Sequence, residues 1–407
     1  MLLVLPMCPG EDCSAAAALS LFQYFALEHQ AAAQSDFDVR WLQGSASEAI
    51  FMPWKAWIEA RGGRILGGQR VSALRMGGVL GGDSAPQGES EVQSDTVRGQ
   101  RVSARLVGGI LGGDNAPQSE TWRGAGGGAH SGGSGGGKGR APQRVVSVET
   151  QAGEEFACDG VVLAVGINAA KAMVRGDSAG ELAALPELSA LSNLRAVDVV
   201  AVRLFFRPGK WVDMPHAACV AGGGMAPGLE QTGLTFYHLN DLQDAYAAAP
   251  GSVLEVDFYR AAPLLAMEDK QVVETALAVL RKALPDQTPS LSAECLEDFA
   301  VVRAPQAVSH FSPGAFQHLP GTKPSQGVEN LWMCGDWVAR GGHRSWSQEK
   351  AFVEGRNAAA AACRRLGVRE GVNSRVLPVE ADEPHVAAGR AAARALRDGL
   401  RGFRALP

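Results

Sequence analysis

The stretch from Leu331 to Cys363, LWMCGDWVARGGHRSWSQEKAFVEGRNAAAAAC, holds the residues best suited to chemistry. Gly335, Asp336 and Trp337 follow a short apolar run, and Ser347, Gln348, Glu349, Ala351 and Gly355 open an Ala-rich segment that reads as a helix. A strand that feeds a helix through a Gly-acid turn is a common way to hold a nucleotide cofactor. The glycine lets backbone approach the ligand, and the helix start offers N–H groups and the positive end of the dipole. Ala351, Gly355, Ala358 and Ala359 leave one helix face almost without side chains, which permits close approach to a sheet or a flat ligand. On purely local grounds Asp336 also reads as a turn former, and Glu349 as a first-turn carboxylate that stabilises its helix. His343 and Arg344 lie between the turn and the helix and read as solvated loop residues.

A dinucleotide site of this kind usually needs a second Gly-rich turn early in the chain. Two later stretches imitate one. GAGGGA (Gly124–Ala129) fits G-x-G-x-x-A, but no strand precedes it and no helix follows. GGSGGGKG (Gly132–Gly139) approaches a phosphate-binding loop, yet Lys138 is followed by Gly139 where a Ser or Thr must reach the metal. Both sit in residues 75–140, a Gly-rich low-complexity region expected to be a disordered surface insertion. Overlapping its start, GQRVSALRMGGVLGGDSAPQ (Gly68–Gln87) recurs 31 positions later as Gly99–Gln118, with 15 of 20 positions identical. Two copies are too few to stack a repeat core, so the pattern reads as a tandem duplication in a loop.

The bulk composition narrows the classes. The 407 residues, 46% of them hydrophobic, can build two or three domains and a sizeable core. A net charge of −5 gives no footprint for nucleic acid. The seven cysteines show no C-x-x-C pair, so they read as reduced thiols in an intracellular compartment, and no metal site is indicated. The opening MLLVLPMCPGEDC lacks a basic flank and is a poor signal peptide. The apolar run from Ala15 to Leu27 is broken by Gln23 and falls short of the ~20 residues that span a bilayer.

The elements that must position the chemistry can be placed coarsely. Ser14–Ala33 reads as a helix with Ser14 as its N-cap, and FMPWKAWIEARGG as a second, with Pro53 early and Gly62-Gly63 as the stop. RIL (64–66) and QRVSAL (69–74) read as short strands. RVVSVET and EEFACDGVVLAVG read as strands joined by a turn at Gly153. Val197–Phe206, Gly233–Leu239 and Val253–Arg260 are further strands, and DKQVVETALAVLRKAL is an amphipathic helix with Val273, Leu277, Leu280 and Leu284 on one stripe. Strands mixed with helices in this way imply α/β or α+β organisation.

In this order the elements resemble the flavin-containing amine oxidase superfamily, and more closely its carotenoid branch of phytoene and ζ-carotene desaturases and carotene isomerases. The hairpin pattern of that family is met by Arg144, Val145, Val148, Gly153, Asp159, Val161, Val162, Leu163 and Ala164. Its closing pattern is met by Asn330, Leu331, Gly335, Asp336 and Trp337, then Ser347, Glu349, Ala351, Gly355, Ala358 and Ala359. WLQGSASEAIFMPWKAWIEARGGRI looks like the helix before that hairpin. The likeness covers most of residues 1–74 and 141–365. Lys350 and Glu354 depart from it, standing where the family usually has a Gly and a small residue.

The resemblance implies a two-domain FAD-linked fold with an incomplete Rossmann-like FAD domain and a mixed-sheet substrate domain. Residues 1–52 would be a helical part of the substrate domain, 53–74 and 141–170 FAD-domain segments, 171–325 the substrate domain, and 326–365 the closing FAD-binding segment. Gly335, Asp336, Trp337, Ser347, Gln348, Glu349, Ala351 and Gly355 would contact FAD, with Gly335 near the pyrophosphate and the amides from Gln348 to Ala351 at the flavin's pyrimidine edge. No catalytic side chain is implied, because the flavin carries the chemistry. The substrate would be a small apolar carotenoid-like polyene, held in a tunnel from Val199–Phe206 and the Ser14–Ala33 helix, and the setting carotenoid biosynthesis in a plastid (chloroplast). An amine or protoporphyrinogen oxidase, or a non-catalytic interaction or membrane-surface module, stays open as an alternative. No G-x-G-x-x-G unit precedes Ser14, so the chain as written is expected to bind FAD weakly or not at all. The tail, residues 366–407, has Ala393, Leu396, Leu400 and Phe403 at helical spacing among arginines. Such a basic amphipathic helix suits either peripheral membrane association or docking on the protein.

Overall fold

The computed structural model describes residues 7–22, 41–78, 143–177, 179–222, 224–322, 328–339, 347–368, 376 and 384–404. The principal helices are α1 (Ala15–Phe22), α2 (Met52–Glu59), α3 (Ile167–Gly176), α4 (Asp269–Ala283), α5 (Gln348–Arg365) and α6 (Pro384–Arg404). The strands are β1 (Val71–Gly78), β2 (Gln143–Thr150), β3 (Glu155–Ala157), β4 (Val161–Leu163), β5 (Arg195–Phe206), β6 (Ala218–Gly222), β7 (Gly233–His238), β8 (Val253–Tyr259), β9 (Leu296–His310) and β10 (Leu331–Met333). The fold class is mixed α/β with three separate sheets.

Alternation decides the larger sheet. In β5 every second residue faces the same way, so Val200, Val202 and Leu204 share one face. That face, with Leu254, Val256 and Phe258 of β8, packs on the apolar stripe of α4. Val273, Leu277, Leu280 and Leu284 of that stripe are all buried, as the helical spacing predicts. Glu268 caps α4, its side chain accepting from the Gln271 backbone while the Gln271 side chain reaches back. The five strands run antiparallel in the order β6-β7-β8-β5-β9. The other face carries Arg203, Glu255, Asp257, Tyr259, Thr235 and Tyr237; Thr235 and Tyr259 are buried, Met7 packs on Tyr259 and Trp41 meets Tyr237 edge-on.

The smaller sheets build the second core. β1, β2 and β3 form an antiparallel sheet, and Gly153 turns β2 into β3 at a φ of 85°, a conformation that favours glycine. β4 and β10 lie parallel. Leu74, Val145, Leu163, Ile167, Met173, Leu331 and Met333 close this core around α3.

Several boundaries differ from expectation. β1 runs through Arg75 to Gly78, paired with β2 down to Gln143, so the strand lies wholly within the first repeat copy and continues past residue 75 into the expected insertion. Cross-strand hydrogen bonding extends the strand where composition alone signals a loop. Residues 64–66 form no strand. α1 ends at Phe22, and positions 23–33 of the predicted helix lie outside the described residues. So does nearly all of the expected insertion, from residue 79 to 142 apart from its margin, together with both glycine-rich imitations. β9 escaped the sequence reading because Pro305 interrupts it. It is an edge strand, where a missing backbone donor is tolerated. Residues 375–407 form a unit of their own, whose helix α6 begins at Pro384, before the predicted Gly389. Among the described residues no helix is long and apolar enough to cross a membrane.

Candidate functional site

The site grows from the end of β10. Leu331, Trp332 and Met333 are all buried and pair in parallel with Val161, Val162 and Leu163. Asn330 fastens this pair to the hairpin. Its amide donates to the carbonyls of Val145 (2.7 Å) and Asp159 (2.9 Å), and its side-chain oxygen accepts from the Val145 N–H (2.8 Å). Replacing Asn330 by Ala would leave these buried backbone groups unsatisfied. The expected loss of stability is about 2–3 kcal/mol, to be read as a shift of the urea midpoint at unchanged slope. A wild-type midpoint in Asn330→Ala would refute the role.

Past Met333 the Cys334 N–H still bonds to the Leu163 carbonyl (3.1 Å), and then the chain turns. Gly335 sits at φ 132°, and a Cβ there would come 2.9 Å from the Trp337 ring nitrogen. Only glycine fits without strain. The buried Trp337 indole donates to the Val165 carbonyl (2.6 Å), tying the turn to the end of β4. Asp336 accepts from the Ser309 hydroxyl of β9 (2.9 Å). Burial pushes its carboxyl up from the ordinary range, while Ser309 and the positive charge of Lys350 pull it back.

Helix α5 closes the site. Ser347 is its N-cap and accepts from the Lys350 N–H (2.9 Å), and the Ala351 N–H bonds to the Ser347 carbonyl. Lys350 is 0% exposed, with its ammonium 5.0 Å above the Phe311 ring. Glu354, one turn on, is also buried and accepts from the Thr322 hydroxyl (2.8 Å). The buried stripe of α5 is thus Lys350, Glu354 and Ala358, the last packed with Trp332 and Cys334. Of the small residues expected to allow close approach, Ala358 alone lies on this buried stripe. A Cβ at Gly355 would meet nothing within 4 Å, and Ala359 is exposed. The polar residues go inward because Asp336, Phe311 and Thr322 receive them.

The structure therefore brings Gly335, Asp336, Trp337 and Ser347 to one place, and adds Ser309, Phe311, Thr322 and Lys350 to it. The first three additions carry no local signal, and Lys350 was visible only as a departure from the family pattern. His343 and Arg344 lie outside the described residues. The residues present fit a flavin nucleotide in two respects. Gly335 and Asp336 turn the chain sharply at the end of a parallel strand, with the Trp337 ring filling the space beside Gly335, and the buried Lys350 brings positive charge to Asp336. The helix start fits less fully, since the Lys350 and Ala351 amides are already bonded to Ser347.

A parallel strand pair ending in a Gly-Asp turn and answered by a capped helix is the kind of framework that nucleotide-binding oxidoreductases use. Residues 136–363 match the flavin containing amine oxidoreductases, and the chain belongs to that family. The family implies a flavin cofactor and oxidoreductase chemistry. None of the curated proteins compared with the chain matches it. Among solved structures, reduced UDP-galactopyranose mutase is similar over 56% of this chain and 47% of its own, at 11% identity and a TM-score of 0.39. A putative protoporphyrinogen oxidase from Exiguobacterium sp. 255-15 is similar over 54% of this chain and 43% of its own, at 12% identity and a TM-score of 0.34. An oxidoreductase from Methanosarcina mazei follows at 51% and 44%, with 15% identity and a TM-score of 0.30. The chain spans less than half the length of each of these structures.

Proposed function

We propose that this chain supplies the closing side of an FAD site and the substrate-holding sheet of an oxidoreductase acting on an apolar polyene, by desaturation or isomerisation. The observation that carries the cofactor half is the Gly335–Asp336 turn at the end of β10, backed by the buried Lys350. The polyene half rests on the resemblance of the hairpin and closing motif to the carotenoid branch.

FAD, when bound, supplies the hydride acceptor. The chain's own residues bind and orient. The Gly335 turn would let the cofactor approach the end of β10, Asp336 would offer a carboxylate oxygen to a cofactor hydroxyl, and the buried Lys350 would supply positive charge beside Asp336. Among the described residues no strand-to-helix turn carries a second dinucleotide glycine pattern. The affinity for FAD is therefore expected to be weak, with a Kd above about 1 μM. Titration of FAD with the purified chain, followed by flavin fluorescence, tests this. Saturable binding that Gly335→Val weakens by about tenfold or more is the expected result. No saturable binding, or binding indifferent to Gly335→Val, would remove the cofactor from this site.

A further inference from the structure

We propose that the tail helix α6 (Pro384–Arg404) is an in-plane anchor, which lays an apolar stripe and a row of arginines on an anionic lipid surface. This stands apart from the cofactor and substrate readings above. The 21 residues of α6 are long enough to cross a bilayer, but five arginines and an aspartate among them exclude spanning. A helix of this composition lies along a membrane or not on one at all.

The placement of the charges is regular. Positions 390, 394, 397, 401 and 404 are all arginine. On a helix of 3.6 residues per turn they fall within an arc of about 80°. Ala393, Leu396, Leu400 and Phe403 fall on the adjoining arc, of about the same width. The one acidic residue of the helix, Asp398, belongs to neither arc. Every side chain of α6 that the structure describes is exposed, and Leu396 is 67% exposed. A row of cations thus begins where the apolar stripe ends.

Charge chooses the sign of the partner. The chain as a whole carries −5, yet this helix sets five arginines against one aspartate. A positive segment on an acidic protein calls for an anionic surface. The apolar stripe then chooses among anionic surfaces. Duplex nucleic acid would answer the arginines and leave Leu396, Leu400 and Phe403 in water. A lipid leaflet answers both stripes together. The apolar positions enter the acyl boundary, and the arginines stand at the depth of the headgroup phosphates with their stems covering apolar surface. The arginines recur over about four turns, and an anionic leaflet presents charge continuously along that length.

The test is co-sedimentation of the full chain with vesicles of phosphatidylcholine alone and of phosphatidylcholine mixed with phosphatidylserine, at low and at raised salt. The mixed vesicles are expected to bind about tenfold tighter or more, and raised salt to weaken that binding. Replacing Arg390, Arg394, Arg397, Arg401 and Arg404 together by Gln should erase the preference for the mixed vesicles. Leu396→Ser combined with Phe403→Ser keeps every charge and should cut binding to the mixed vesicles by about tenfold. These substitutions fall in a unit of their own, none of whose residues belongs to either core. Equal binding to both kinds of vesicle, or a preference that survives the arginine replacement, overturns the anchor. Binding to mixed vesicles that the Leu396 and Phe403 substitutions leave unchanged, matched by equal binding to duplex DNA, overturns it in favour of charge alone. Binding to neither vesicle overturns it and leaves a protein partner for this helix.

Discussion

Asp257→Asn is expected to be more stable than the parent chain above neutral pH, by about 2–4 kcal/mol at pH 8, and indistinguishable from it near pH 4. The sign follows from the direction of the shift. The folded carboxyl titrates at about 7 against an ordinary 3.8, so between these values the native state holds a proton that the unfolded chain has lost. Stability contributed by this group is full below the unfolded value and is lost as pH rises through the folded one. Three units at about 1.4 kcal/mol each set the upper end of the range. Asparagine has no proton to lose, so the difference between the two chains isolates this group from all others. Urea unfolding of both at steps from pH 4 to 8 measures it. A difference that does not grow with pH would mean that Asp257 is ionised in the fold at little cost.

Lys350→Met should cost about 3 kcal/mol, and adding Asp336→Asn should recover most of that loss. The lysine is fully buried and its charge favours the ionised form of the buried-side carboxyl at Asp336. Removing the cation alone leaves that buried carboxylate with the Ser309 hydroxyl and backbone N–H groups but no opposite charge to answer it. Removing both leaves neutral groups of similar volume, which such a site accepts more readily. The measurement is a double-mutant cycle by denaturant unfolding at pH 7. If the double variant were as unstable as the sum of the singles, the two charges would be independent, and Lys350 would serve some other partner.

The closing motif was legible because it is local. Apolar residues at 331–333, a glycine that must take a positive φ at 335, and a Ser that caps a helix at 347 each act within a few neighbours of themselves. The same holds for the Gly153 turn and the stripe of α4, whose spacing alone decides which residues go inward. The strand at Leu296–His310 was hidden for a local reason too: Pro305 weakens the pattern, and only its place at the sheet edge makes it harmless.

What the chain determined by itself, then, was the ancestry of the Gly335–Asp336 turn and the helix that answers it. Tertiary structure decided which way that helix faces and which face of the large sheet α4 covers. Small residues at 351, 355 and 359 suggested one side of α5. Lys350 and Glu354 claimed the buried side because Ser309, Phe311 and Thr322, some thirty to forty positions earlier in the chain, supply their surroundings. Asp257 likewise sits in a strand whose alternation was plain. That its side is not the one α4 covers depends on α4 packing against Val256 and Phe258 instead. Burial of a charge depends on partners distant in sequence, and the local spacing of residues carries no record of them.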